Sequence, residues 1–324
     1  MHCALPPCAI PGKCGELTPP LVRGKRNALL IGDSISIQYA PAVRELLGDE
    51  WNVWKNGGFC TDVKNGLCTA EWKSGQGGNS EHGVFCTGPG SSRSWLSPSS
   101  KWDVIHVNFG LHDAMDRTGV EKYESNVRAL HARLQSHARR VIWATTTPVP
   151  DPSNDRLSRL NWTIRFLRMR WLRISESKGH GAKDRAELMS LMDGANRDER
   201  ILAQARGCKA SSASRPSTIC ATFAQADARW DQYLAGRLPN ATLVPLLNAA
   251  MRRAVGSAAE PPCIDDLYAE VTSVCGQSYA NCSAAHRAPA DVHFSPTFAH
   301  TLALAVAASI RACAPAERVP KRTG

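Results

Sequence analysis

Several signatures of common enzyme and binding sites are absent from this sequence of 324 residues. It has no His-Glu-x-x-His and no Cys-x-x-Cys spacing, so neither a metalloprotease nor a zinc ribbon or thiol redox site is expected. It has no phosphate-binding loop, zinc finger or RNA-recognition signature, so neither a cofactor nor nucleic acid is expected. The Gly-x-Ser-x-Gly motif is absent too, since Ser36 stands where its second glycine would be.

Long uninterrupted apolar runs are also absent. The longest apolar stretch, Phe298 to Ala314, is interrupted by polar residues that include His300 and Arg311. This stretch predicts an amphipathic closing helix and not a membrane span. Apolar residues nevertheless make up 43% of the chain, which predicts a substantial core in one enlarged α/β domain or in one domain with an insertion.

Cysteine, in contrast, is abundant and dispersed. The twelve cysteines lie at positions 3, 8, 14, 60, 68, 86, 208, 220, 263, 275, 282 and 313. Their even number and spacing predict disulfides and an extracellular or secretory location. The sequons at Asn161, Asn240 and Asn281 agree with that compartment. The first residues show no secretory signal, so either a signal lies upstream of Met1 or the compartment is a different one.

Short apolar runs alternate with amphipathic segments along much of the chain. The expected elements are strands over 27–32, 51–55, 103–109 and 140–146, helices over 37–47 and 120–138, and a Gly/Ser/Cys-rich segment over 56–100. Later expected elements are a helix over 243–255, a short strand within 263–268, a loop through Cys275 and Cys282, and a closing helix from Pro296 with Ser295 as its cap. This alternation predicts a parallel sheet with helices on both faces.

One turn between a strand and a helix carries a candidate nucleophile. The strand 27–32 ends on Gly32-Asp33-Ser34, and a helical pattern follows at once. A serine hydroxyl at a helix N-terminus lies near unpaired N–H groups and the positive end of the helix dipole, which favour developing negative charge. Ser34 is therefore a candidate nucleophile. The alternative is that Asp33 or Ser34 merely caps the helix.

Two further polar motifs also follow predicted strands. They are Gly110-Leu-His112-Asp113 and Thr147-Pro148. In parallel sheets, ligands bind outside the carboxyl ends of the strands. The sequence therefore predicts that these motifs meet Gly32-Asp33-Ser34 at one edge of the sheet.

The region 151–240 interrupts the α/β pattern and is rich in arginine. Its apolar residues recur at helical spacing and share one face, as Leu157, Leu160, Ile164, Leu167, Trp171 and Ile174. With a net charge of +10, the arginines form either a basic surface for an anionic polysaccharide or a solvated helix face. Both interpretations remain open from the sequence.

The motifs resemble, in order and position, those of the SGNH (GDSL-type) hydrolase superfamily. Gly32-Asp33-Ser34 matches its nucleophile motif, Gly110-Leu-His112-Asp113 falls where the family has Gly-x-Asn-Asp, and Asp291-Val-His293 falls where it has Asp-x-x-His. Gly110-Leu-His112-Asp113 is similar to the corresponding motif of one branch of the superfamily, which reads Gly-Leu-His-Asp. The resemblance spans about residues 27–312, apart from the insertion. It implies a flavodoxin-like three-layer fold, a parallel sheet sandwiched by helices.

The same resemblance implies catalytic roles for three residues. Ser34 is the nucleophile, and His293 is the base that accepts its proton. Asp291 would orient the imidazole, as the acid does in Ser-His-Asp triads. The family's acid stands three residues before the histidine, which here is Ala290, so a backbone carbonyl is the alternative partner of His293.

The resemblance also implies an oxyanion hole made of the serine N–H, a glycine N–H and an Asn side chain. His112 occupies the Asn position, and a neutral imidazole can donate one hydrogen bond. Gly90 is the favoured glycine, and Gly58 is the alternative. Asn108 is a further polar candidate, although its place at a strand end favours a bond to the backbone.

These observations predict a serine esterase whose substrate is a small-molecule or carbohydrate ester, with O-acetyl groups on carbohydrate as the first candidate. The alternative is a catalytically impaired module of the same fold that binds anionic polysaccharide. The expected organisation is a Cys/Pro-rich extension over 1–26, a hydrolase domain over 27–313 with the insertion at about 151–240, and a basic tail over 314–324.

Overall fold

The computed structural model describes residues 21–56, 78–88, 95–96, 102–116, 118–149, 242–256, 263–276, 282, 285–286 and 292–315. The elements in chain order are β1 (Arg26–Gly32), α1 (Ser34–Leu47), β2 (Trp51–Lys55), α2 (Ser80–Cys86), β3 (Trp102–Asn108), α3 (Leu111–Asp116), α4 (Val120–His137), β4 (Ala138–Ala144), α5 (Leu243–Gly256), β5 (Cys263–Asp265), α6 (Leu267–Cys275) and α7 (Pro296–Cys313). The arginine-rich insertion 151–240 lies outside the described residues, as do most of the extension 1–26 and of the tail 314–324.

The five described strands form one parallel sheet in the order β2-β1-β3-β4-β5. This confirms the predicted fold class. The central strands β1 and β3 are nearly continuous buried apolar runs, which is the pattern of a parallel sheet covered on both faces. The register aligns Leu30 with His106 and His106 with Ile142.

Helices cover both faces of the sheet. On one face, Tyr39 of α1 lies edge-on to His106, with ring centroids 6.2 Å apart. Because His106 pairs with Ile142 and successive strand side chains alternate, Trp143 points to the opposite face. There the Trp143 indole N–H donates to His131 of α4 at 3.1 Å. Helix α7 packs beside α1, and α5 packs beside α4, which completes three layers.

The strand order has a switch point between β1 and β3. Because β1 is followed in the chain by β2 on one side and β3 lies on its other side, the connections leave β1 and β3 in opposite directions. Ligands of open parallel sheets bind at such a switch point, outside the carboxyl ends of the two strands. Here those ends lead into Asp33-Ser34 and into Phe109-Gly110.

Three of the described helices were not predicted from the sequence. Helix α2 lies inside the segment 56–100, which was predicted only as Gly/Ser/Cys-rich, and begins where the Asn79 side chain accepts the His82 N–H. Helix α3 starts directly after Gly110. Helix α6 occupies residues expected to be a strand exit and a loop, because Asp266 caps it by accepting the Ala269 N–H at 3.2 Å.

Two disulfides fasten the last third of the chain. Cys263 of β5 is bonded to Cys313 at the end of α7, and Cys275 is bonded to Cys282. Cys86 is disulfide-bonded as well, so no cysteine among the described residues is free. The predicted disulfides are therefore confirmed for this part of the chain.

Among the described helices, none combines the length and apolar character needed to cross a membrane.

Candidate active site

The turn after β1 places Ser34 at the start of α1. Gly32 ends the strand, and a Cβ at this position would lie 2.7 Å from the Asn108 carbonyl oxygen and 2.7 Å from Ser36 Oγ. Asp33 caps α1, because its Oδ1 accepts the Ile35 N–H at 3.0 Å. The helix therefore begins at Ser34, three residues earlier than the sequence predicted. Asp33 supplies the cap, and the Ser34 hydroxyl is engaged elsewhere.

The Ser34 hydroxyl contacts an imidazole from the far end of the chain. His293 Nε2 lies 3.0 Å from Ser34 Oγ, which is hydrogen-bonding distance. When the imidazole is neutral and protonated on Nδ1, Nε2 accepts and the serine hydroxyl donates. Both side chains are partly exposed at the carboxyl edge of the sheet. The pair has the geometry that general-base activation of a serine requires.

His293 is held on a short loop before α7. Ser295 caps this helix by accepting the Phe298 N–H at 3.2 Å, and Pro296 occupies its first turn, as predicted. The Ser295 N–H donates to the Ala285 carbonyl oxygen at 2.7 Å, just before His286 forms a bridge with Phe294. The loop is thus fixed at Phe294 and Ser295.

His112 comes to this edge through the turn after β3. Gly110 has φ +133°, and a Cβ there would lie 1.8 Å from Thr146 Oγ1, so the turn requires glycine. Two residues later His112 lies buried within α3. The next residue, Asp113, accepts the Ser80 N–H at 2.9 Å and the Ser80 hydroxyl at 2.6 Å. These bonds fasten α3 to the start of α2.

Asp33 interacts electrostatically with His112, Lys55 and His293. Burial raises the pKa of the Asp33 carboxyl above its ordinary value of 3.8, and the charges of His112, Lys55 and His293 oppose this rise. Among the described residues, Asp33 Oδ2 has no hydrogen-bond partner. Both histidines of the predicted site are therefore close enough to interact electrostatically with the carboxyl that precedes Ser34.

The other predicted site residues have separate positions. The Asn108 side chain is buried and donates to the Thr145 carbonyl oxygen at 3.4 Å, a bond to the backbone at the end of β3. Asp291, Gly90 and Gly58 lie outside the described residues, as does Ala290.

The sequence analysis overlooked Lys55, which is 2% exposed at the carboxyl end of β2. Its Nζ donates to the Gly32 carbonyl oxygen at 3.1 Å and to Asn56 Oδ1. Asn56 Oδ1 also accepts the Gly32 N–H at 3.0 Å. A lysine at the end of a strand that otherwise reads Trp-Asn-Val-Trp was the available signal. Among the described residues, no group of three or more His, Cys, Asp or Glu side chains is arranged to hold a metal ion.

No family model matches this sequence, and no curated protein is significantly similar to it. Among solved structures, the chain is similar to the crystal structure of TesA, with 14% identity, a TM-score of 0.27, and coverage of 68% of this chain and 100% of that one. It is also similar to LAE5, an alpha/beta hydrolase enzyme from the metagenome of Lake Arreo, Spain, with 17% identity, a TM-score of 0.24, and coverage of 71% and 95%. The candidate site is therefore defined by the geometry of this chain's own residues, above all by Ser34 and His293 at the carboxyl edge of a parallel sheet.

Proposed function

We propose that this protein is a serine esterase that cleaves acyl esters through an acyl-enzyme on Ser34. The observation that carries the proposal is the 3.0 Å separation between His293 Nε2 and Ser34 Oγ, at the switch point of the parallel sheet. Ser34 is also the first residue of a capped helix. A hydroxyl beside an imidazole and a helix N-terminus has both a base for its proton and a positive field for the oxyanion.

The reaction has two halves. Ser34 Oγ attacks the ester carbonyl while His293 accepts the hydroxyl proton, and the tetrahedral intermediate expels the alcohol, which takes that proton from His293. Water then attacks the acyl-enzyme, again with His293 as the base. The second tetrahedral intermediate releases the acid and returns the proton to Ser34.

The oxyanion is stabilised, in this proposal, by donors at the carboxyl edge of the sheet. The N–H of Ser34 belongs to the first turn of α1, where N–H groups have no partner within the helix. His112 serves as a second donor through one ring N–H, in the role that an Asn side chain has in the SGNH superfamily. Gly90, or Gly58 in its place, completes the hole.

The orientation of His293 belongs to the same proposal. Asp291 accepts a hydrogen bond from the Nδ1–H, which keeps Nε2 free to accept from Ser34 and stabilises the imidazolium that forms. A backbone carbonyl is the alternative acceptor. Replacing Asp291 with Asn separates the two, because it lowers kcat only if the carboxylate is the partner.

We propose small acyl groups on carbohydrate as the substrate class. A net charge of +10 attracts acidic polymers. The acetyl esters carried by such carbohydrate polymers are then the substrates that we propose. The disulfides are compatible with an extracellular site of action, where such polymers are found.

Labelling with a fluorophosphonate probe tests the nucleophile directly. Wild-type protein should be labelled and should hydrolyse p-nitrophenyl acetate faster than the butyrate and decanoate esters, and Ser34→Ala should abolish both activities. Ser273→Ala is the matched control, because its hydroxyl donates to the Glu270 carbonyl oxygen on an exposed part of α6. Absence of Ser34-dependent labelling and turnover would contradict the proposal. Salt-sensitive binding of sulfated or uronic polymers by such an inactive protein would favour the polysaccharide-binding module.

A further inference from the structure

Gln38 holds the chain beside His293 by two hydrogen bonds. Its Nε2 donates to the Phe294 carbonyl oxygen at 3.1 Å, and the Phe294 N–H donates to its Oε1 at 3.1 Å. One side-chain amide thus satisfies both backbone groups of the residue that follows His293, as a neighbouring strand would.

These two bonds lie next to the Ser34–His293 contact on the same helix, α1. Ser34 and Gln38 are four residues apart on α1, so their side chains lie on the same face of the helix. His293 contacts Ser34, and the next residue, Phe294, contacts Gln38. Two successive loop residues therefore dock on two successive turns of α1, and the loop cannot slide along α1 while the Gln38 bonds are intact.

We infer that Gln38 is a positioning residue that sets His293 Nε2 against Ser34 Oγ, an inference that rests on the proposed function. Proton transfer needs the two heavy atoms within about 2.6–3.2 Å. A displacement of about 1 Å in such a site can cost about 100-fold in rate. The Gln38 amide prevents that displacement by fixing the backbone next to the imidazole.

Other contacts keep the loop folded when Gln38 is replaced. The Phe294 ring stacks on His286 with centroids 5.0 Å apart and lies 5.3 Å from the Phe298 ring. The Ser295 N–H donates to the Ala285 carbonyl oxygen. These contacts join the loop to residues 285–286 and to α7, so they preserve its fold, whereas the two Gln38 bonds hold its backbone directly against α1.

Three substitutions separate the polar contacts from side-chain volume. Gln38→Met has a similar length and neither donates nor accepts. Gln38→Glu keeps an acceptor for the Phe294 N–H and loses the donor to the carbonyl oxygen. Gln135→Met makes the same chemical change on an exposed position of α4 and is the matched control.

For Gln38→Met, kcat for p-nitrophenyl acetate and the rate of fluorophosphonate labelling should fall by about 10- to 100-fold. KM should stay within about twofold of wild type, because the substrate contacts are retained. Hydrogen exchange of the Phe294 amide should become faster, since its acceptor is lost. Gln38→Glu should lower kcat with less effect on that amide, and Gln135→Met should behave as wild type.

The outcomes distinguish this inference from the proposed function. An active wild type with an unchanged kcat in folded Gln38→Met or Gln38→Glu would overturn the role of Gln38 alone. A loss of thermal stability with a matching loss of active protein and an unchanged kcat per active site would also overturn it, because that is a structural role. A wild type without Ser34-dependent activity would overturn the proposed function, and this inference with it.

Discussion

The ammonium group of Lys55 donates to the carbonyl oxygen of Gly32 at 3.1 Å from an almost fully buried position. Together with Asn56, which accepts the Gly32 N–H, it satisfies both backbone groups of the residue that precedes Asp33 and Ser34. The end of β2 thereby fixes the end of β1. A buried lysine in this position serves the turn that presents the candidate nucleophile.

We expect Lys55→Met to lower the free energy of unfolding by about 1–3 kcal/mol, because the buried Gly32 carbonyl loses its donor. It should also lower kcat by about tenfold or more, since the turn before Ser34 can then shift. Urea unfolding and ester hydrolysis measure the two effects. Lys122→Met is the control, because that lysine is exposed and lies 3.5 Å from Glu81 in a surface ion pair. Its effect on stability should stay within about 0.5 kcal/mol.

Gly110 and Gly24 form a matched pair for testing the turn after β3. Both have positive φ, but a Cβ at Gly110 would meet Thr146 Oγ1, whereas a Cβ at Gly24 would meet none of the described residues within 4 Å. Gly24→Ala should cost about 1–2 kcal/mol for the backbone conformation alone. Gly110→Ala should cost more, and it should also lower kcat because His112 lies only two residues further on. Equal losses of stability from urea unfolding would contradict the steric argument.

Stability should fall in mildly acidic solution because of His131. Burial lowers the pKa of its imidazole below the ordinary value of 6.5. The Trp143 indole N–H donates to Nδ1, so the neutral imidazole carries its proton on the buried Nε2. A second proton has to add to Nδ1, where it faces the indole N–H and costs the ring this hydrogen bond. The folded chain binds this proton less tightly than the unfolded chain. Its contribution to stability is therefore complete above pH 6.5 and is lost as the pH falls through 6.5 toward the lowered pKa.

His131→Asn tests this assignment, because the Asn Oδ1 can still accept from Trp143 and the side chain does not titrate. Urea unfolding between pH 7.5 and 5 should show a flatter pH dependence for the variant than for wild type. Parallel pH profiles of the two proteins would show that another group is responsible.

The two described disulfides should differ in their contribution to stability. Cys263 and Cys313 are 50 residues apart, whereas Cys275 and Cys282 are 7 apart. Constraint of the unfolded chain predicts losses of about 4 kcal/mol and about 2 kcal/mol when each pair is replaced by Ala. Denaturant unfolding of the two double variants measures the difference. A larger loss for the shorter loop would indicate that the Cys275–Cys282 bond acts on the folded state instead.

The sheet and its edge could be predicted from the sequence because they depend on local patterns. Strands β1, β2 and β3 are short apolar runs bounded by turn residues, and Ser295-Pro296 is a cap that can be read directly. The serine and histidine were identified by their motifs. Their 3.0 Å contact depends on α1 and α7 packing together, which no local pattern specifies.

The misplaced elements show where tertiary contacts override local preference. The strand expected over 140–146 ends at Ala144, although the threonines that follow favour strands. Thr146 is bonded instead by Asn248 of α5, which accepts its N–H at 2.7 Å and donates to its carbonyl oxygen at 3.0 Å. The Asn248 amide makes the two hydrogen bonds to Thr146 that a neighbouring strand would make, and the Gln38 amide makes the same pair of bonds to Phe294. Such pairings join residues far apart in the chain.

The separation of 259 residues between Ser34 and His293 has a consequence for biosynthesis. A ribosome-bound chain can complete β1 and α1 early, but the imidazole emerges only with the loop before the last described helix. No truncated or partly synthesised chain that lacks this segment has both members of the pair. Ser34-dependent labelling would then report the completed fold, and its time of onset during synthesis would mark the docking of α7.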